Sequence, residues 1–178
     1  MSHTGVPTHN VRLEDANRSL AEFFIAEIRL AFNYFSKNFK NEVIKVVDRV
    51  ADELGATSRF LHQHPELAYE EREAAQRLTA LLKARGFEVI EGPGGLPTAF
   101  LARAGVERPS ATIAFLAEYD ALPSLGHACG HNLIAAGSIG AALALQPFLT
   151  RLGGQVQVIG CPAEERGGGK IALVKAGL

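Results

Sequence analysis

Residues 127–131 read His-Ala-Cys-Gly-His and place one thiol and two imidazoles within five positions. Thirty-three residues after His131, at Glu164, the run Pro162-Ala163-Glu164-Glu165 adds two adjacent carboxylates. Thiolate, imidazole and carboxylate are donors that a borderline-soft divalent cation prefers. Two neighbouring glutamates can divide a hydrolytic task, one holding the cation and the other moving protons. Gly130 separates Cys129 from His131 and allows the tight backbone that would bring both side chains to one centre. Two donors do not hold zinc. With Glu165 there are three, and three protein donors plus water make the open, catalytic kind of site. Glu164 is then free to take a proton from water and pass it to a leaving amine.

Each of these residues alone has a plainer reading. A single cysteine is more often a small buried hydrophobe. A lone loop histidine such as His127 is usually just hydrogen-bonded, a glutamate pair is usually solvated, and Asp120 can cap the turn at Ala121-Leu122-Pro123. What favours a site is their common place at strand ends. The plainer reading holds for His62 and His64, which precede Pro65 and close a helix, and for Cys161, a packing residue. Gly167-Gly168-Gly169-Lys170 lacks the flanking spacing of a Walker phosphate loop. It reads as a turn that lets the next helix approach the site.

The elements that must position these groups follow from periodicity. Residues 1–11 have none. Leu13 to Phe35 repeats apolar residues at helical spacing and forms an amphipathic helix. A second helix spans Glu42 to Leu61, with Val43, Val47, Val50 and Leu54 on one face and Gly55 as a weak point. A third spans Glu70 to Arg85 and stops at Gly86. The period then changes. Phe87–Ile90, Thr98–Ala102 and Thr112–Ala117 are strands, the last of a continuous apolar kind buried on both faces. Residues 132–152 form an almost wholly apolar helix that belongs in a core. Gln155–Ile159 is a strand, and Lys170–Ala176 starts a helix. Strand–helix–strand around a long apolar helix predicts a parallel pair in an α/β layer structure. In such sheets sites lie beyond the carboxyl ends of the strands. Glu118-Tyr119-Asp120, the His127–His131 cluster and Glu164-Glu165 all fall there.

Composition sets outer bounds. The chain has 178 residues, 47% hydrophobic and 21% charged, with a net charge of -1. It has the material for a core, and its charge gives no reason to expect nucleic acid or an anionic membrane surface. Two cysteines make no disulfide framework and point to a reducing compartment, the cytoplasm. The start of the chain has no secretory pattern. The apolar stretch Phe23–Phe35 is too short and too charged to span a bilayer.

Three ordered motifs carry a family resemblance. Glu118-Tyr-Asp-Ala-Leu-Pro123, Gly126-His-Ala-Cys-Gly-His-Asn132 and Pro162-Ala-Glu-Glu165, the last followed by Gly-Gly-Gly-Lys170, resemble the M20 metallopeptidase/amidohydrolase family. The branch they resemble contains aminobenzoyl-glutamate hydrolase subunits and the peptidase M20 domain-containing protein 2 group. Leu61-His-Gln-His-Pro-Glu-Leu67 and Gly95-Leu-Pro-Thr-Ala-Phe100 fit the same pattern. The resemblance covers roughly residues 45–178, leaving 1–44 as an N-terminal extension. It implies a partial zinc-exopeptidase-like catalytic domain: α/β, with a mostly parallel sheet flanked by helices and no lid domain. It implies Cys129, His131 and Glu165 as metal ligands, Glu164 as catalytic base and Asp120 as the residue orienting the centre.

The resemblance further implies a two-metal centre of zinc or manganese, substrates that are N-acyl amino acids or small dipeptides, and homo-oligomers of the full-length form. The family's remaining histidine ligands and lid fall downstream of Leu178, so the chain resembles the N-terminal part of a catalytic domain, as a fragment or truncated form. Arg166 stands where this branch usually has glycine, beside Glu165. Two rival readings are an inactive or partner-dependent remnant and a thiol-redox or zinc module using Cys129 and Cys161. The lack of a C-x-x-C motif weakens the second.

Overall fold

The computed structural model describes residues 37–178. The helix expected over residues 13–35 and the aperiodic first eleven residues lie outside them. The chain divides into two compact units, Met1–Glu42 and Val43–Leu178, and the second holds the sheet and the candidate site.

Helix α1 runs over residues 37–63 and α2 over Arg72–Ala84. Strand β1 follows at Glu88–Glu91, then a 3-10 turn at Pro93–Gly95, β2 at Phe100–Gly105 and β3 at Ala111–Glu118. Helix α3, His131–Leu145, continues through a 3-10 turn, Gln146–Phe148, into the short α4, Leu149–Leu152. Strand β4, Gly154–Cys161, and α5, Gly169–Lys175, complete the order. Gly55 does not break α1. The helix buries Val46, Val50, Thr57 and Leu61, and leaves Val47 40% exposed. Of the expected face, Val50 is buried and Leu54 packs on the core, while Val46 takes the buried place expected for Val47.

Among the described residues the sheet has four strands, in the order β1-β2-β4-β3. The expected parallel pair is β3 with β4, in register from Ala111↔Gly154 to Glu118↔Cys161. The expectation of a mostly parallel sheet is corrected among the described residues, because β1 with β2 and β2 with β4 are antiparallel. The cause is connection length. The short glycine-rich loop after β1 can only reverse the chain, whereas the helical crossover through α3 returns it in the same direction.

The core gathers Val50 and Leu61 of α1, Leu78 and Leu82 of α2, Phe100, Val156 and Val158 of the sheet, Tyr119, and Ile139 of α3. Helix α3 meets α1 through small residues: a Cβ on Gly140 would lie 2.7 Å from Leu54 Cδ1. By length and composition alone, residues 131–152 would pass for a membrane span. In the structure the stretch is interrupted at Gln146–Phe148 and buries Ala135, Ile139, Ala142 and Leu143 in the core. Strand β3 departs from expectation. It is an outer strand of the sheet, and Ile113 and Leu116, on opposite faces, are 51% and 45% exposed.

Candidate metal centre

Because β3 and β4 run parallel in register, their carboxyl ends lie side by side, with Glu118 paired to Cys161. Beyond Ala117 the side chains alternate. Glu118 and Asp120 turn toward His131, while Tyr119 turns into the core, where its hydroxyl donates to Thr98 O at 2.6 Å. Gly130, at φ 80, closes the preceding loop and caps α3, making His131 the first helical residue. A left-handed conformation at this position is what glycine supplies without penalty.

His131 is 3% exposed and central to the cluster. Its Nδ1 lies 2.9 Å from both the carbonyl and Oδ1 of Asp120. Both partners are acceptors, so Nδ1 carries a proton and donates to them, and Nε2 is the nitrogen that faces the carboxylates. Nε2 faces three carboxylates: Glu118 Oε2 at 3.6 Å, Glu165 Oε1 at 3.7 Å and Glu164 Oε2 at 3.8 Å. These separations are long for hydrogen bonds. They approach the ~3.3 Å between two donors that each stand about 2.05 Å from a tetrahedral zinc. His131, Glu164 and Glu165 offer ligand atoms all within 4.8 Å of one another. A carboxylate holding the far nitrogen of a ligating histidine is a recurrent feature of metal sites. The residues present therefore fit a divalent cation.

The other candidates fall around this group. Asp120 joins it twice, since its Oδ2 also accepts the Glu165 N–H at 3.0 Å. Cys129 is exposed and stands outside the tight group. The Glu165 carboxylate beside its thiol pushes its pKa up, with desolvation and the neighbouring Asp120 and Glu164 carboxylates adding to the effect. His127 is buried, with Nδ1 left without a protein partner. Burial pushes its pKa down, and His131 and His62 add to the effect. Arg166 lines a cavity of about 230 Å³ with Asp120, Glu165, Glu70 and Leu67. His64 lies apart, its Nδ1 2.8 Å from Phe60 O and its ring stacked on Phe60. Cys161 is buried against Ala99 and Leu173, and burial pushes its thiol up to about 11.

Two residues to which sequence reasoning gave no role belong here. Lys170 Nζ lies 2.5 Å from Glu118 Oε1 and 3.5 Å from Glu164 Oε1. The Glu118 bond pushes the pKa of Lys170 up. Glu118 carried a signal, its place at the end of an apolar strand. Lys170 was read only as part of a turn. The lysine separates the two glutamates, whose distances to His131 are nearly equal: Glu164 leans to the ammonium and Glu165 to the Cys129 thiol.

No family model matches the chain. It is 44% identical over 150 residues to the Xaa-Arg dipeptidase of Mus musculus, covering 78% of this chain and 35% of that protein. It is 38% identical over 134 residues to a p-aminobenzoyl-glutamate hydrolase subunit of Escherichia coli, covering 65% and 27%. Its fold matches the crystal structure of a dinuclear metal-binding M20 peptidase from Bacillus subtilis with a TM-score of 0.66 at 30% identity, covering 73% and 40% of the two chains. The chain thus spans about a third of the length of the mouse relative. Carrying the three motifs on a mixed α/β sheet of this kind, the chain belongs to the M20 metallopeptidase and amidohydrolase family.

Proposed function

We propose that this chain contributes the metal centre of a hydrolase acting on amide bonds of small dipeptides or N-acyl amino acids. The observation that carries the reading is the convergence of Glu164 and Glu165 on Nε2 of His131, whose Nδ1 is held by Asp120. Cys129, His131 and Glu165 serve as ligands. A divalent cation held there, zinc or manganese, supplies Lewis acidity toward the scissile carbonyl and acidifies water. Glu164 accepts the proton of the attacking water and delivers it to the leaving nitrogen. Asp120 keeps the proton of His131 on Nδ1 and ties the Glu165 backbone to the same carboxylate. Lys170 draws the Glu164 side chain away from Glu165. A second ion, as in the dinuclear relative, calls for donors beyond these. Residues 1–44 form an extension to this domain, and two unpaired thiols support a cytoplasmic setting.

The relatives' names supply the substrates to try: Xaa-Arg dipeptides, p-aminobenzoyl-glutamate and N-acetylcysteine. The test is hydrolysis of this panel by the chain supplied with zinc or manganese. Turnover that disappears with a chelator and in Glu164→Gln supports the reading. Turnover indifferent to both contradicts it.

A further inference from the structure

The segment from Pro65 to Glu71 begins in the Leu61–Leu67 motif and runs beyond it; the metal centre gives it no role, yet it touches the loop bearing the two glutamates at Ala163 and Gly167. We propose that Glu71 is a positioning residue for that loop, bracing Ala163 so that Glu164 and Glu165 face His131. The proposal rests on the metal-centre reading above.

Glu71 is fully buried. Its two carboxylate oxygens are separately engaged: Oε1 accepts the Ala163 N–H at 2.8 Å, and Oε2 accepts the Thr98 hydroxyl at 2.9 Å. Ala163 is itself buried and sits at φ 54, a left-handed conformation that alanine rarely adopts. Such a conformation persists only where its surroundings enforce it. A buried N–H without an acceptor is strongly disfavoured, and Glu71 supplies that acceptor one residue before Glu164. The other end of the brace is anchored as well. Thr98 O accepts the Tyr119 hydroxyl at 2.6 Å, and Tyr119 lies between Glu118 and Asp120. One chain of hydrogen bonds therefore joins the end of β3 to the loop after β4, beneath the site.

Neighbouring residues support this arrangement. The Glu66 carboxylate accepts the N–H groups of Glu73 and Ala74 at the start of α2, at 3.1 and 2.9 Å. That satisfies the helix end and leaves the Glu71 side chain free to point inward. Tyr69 donates its hydroxyl to Gly167 O at 2.6 Å. Its ring packs so closely that a Cβ on Gly167 would lie 2.4 Å from it. The loop is thus held at Ala163 by Glu71, at Glu165 by Asp120 and at Gly167 by Tyr69.

The test compares Glu71→Met, which keeps length and removes the acceptors, with Glu71→Gln. The glutamine keeps an oxygen for Ala163 and can donate to a turned Thr98 hydroxyl. Zinc affinity is read by calorimetry on the whole chain, folding by thermal midpoint, and the brace by hydrogen exchange of the Ala163 amide. Folded Glu71→Met is expected to bind zinc about 10–100-fold more weakly, the range typical of lost supporting residues, with Ala163 exchanging faster. Glu71→Gln is expected to restore both. If Glu71→Met does not fold, Glu71→Asp keeps the charge, withdraws the acceptor by one methylene and is expected to show the same two changes. A folded Met or Asp variant with wild-type zinc affinity and a protected Ala163 amide overturns the proposal. So does a glutamine variant as defective as the methionine one. Failure of the wild-type chain to bind zinc sinks the metal-centre reading, while the Ala163 amide, which needs no metal, still decides whether Glu71 braces the loop.

Discussion

Asp120 Oδ1 lies 2.9 Å from Nδ1 of His131, and the same carboxylate accepts the Glu165 N–H through Oδ2. One side chain thus sets the tautomer of the central imidazole and the approach of a carboxylate to it. Asp120→Asn breaks this double role, because its amide NH₂ must face either a ring N–H or a backbone N–H. We expect zinc affinity to fall about 10–100-fold, as for other supporting carboxylates, with the fold retained by circular dichroism. Unchanged affinity would show that Asp120 is not needed to orient His131.

The two cysteines should behave oppositely toward a thiol reagent. Cys129 is exposed, whereas Cys161 is buried with its thiol pushed up to about 11. Native protein at pH 8 is expected to react with a maleimide at one cysteine per chain, identified as Cys129 by peptide mapping, and at both once denatured. Zinc should protect Cys129 if its thiolate is a ligand, and Cys129→Ala should weaken zinc binding. Labelling of Cys129 at the same rate with and without zinc would remove it from the ligand set.

Burial raises the pKa of Glu71 above its usual 4.5, although hydrogen bonds from Ala163 and Thr98 oppose the shift. A carboxyl raised on folding contributes stability that is present below its unfolded pKa and lost as pH rises through its folded pKa. Wild-type protein should therefore lose stability from about pH 4.5 upward relative to Glu71→Gln, which has no charge to bury. Tyr119, the nearby titratable group, is raised well above 10 and stays neutral across this window. Thermal midpoints at pH 4 and pH 8 provide the check. A wild-type midpoint that rises relative to that of Glu71→Gln between pH 4 and pH 8 would mean the sign is wrong.

The motifs were legible because each is short and contiguous. His127–His131 and Glu164–Glu165 announce donor chemistry by residue type, and the apolar runs before Glu118 and Pro162 place them at strand ends. The parallel β3–β4 pair followed from the helix between them. What stayed illegible depends on partners distant in sequence. Nothing local says that Glu71, 92 residues before Ala163, turns inward to its N–H. Lys170 reads as part of a glycine turn until α5 carries its ammonium to Glu118. The pattern of β3 gave the apolar run correctly and its burial wrongly, because burial depends on where the strand lies in the sheet order.

The central claim is that Glu165 binds the cation and Glu164 moves protons, although the two stand 3.7 and 3.8 Å from the same imidazole nitrogen. Calorimetric zinc titration of Glu164→Gln and Glu165→Gln beside the wild-type chain addresses it most directly. The account predicts near wild-type affinity in Glu164→Gln, whose carboxylate is drawn toward Lys170, and severe loss in Glu165→Gln, whose carboxylate faces Cys129 and His131. Loss of zinc in Glu164→Gln with retention in Glu165→Gln would contradict it and exchange the two roles.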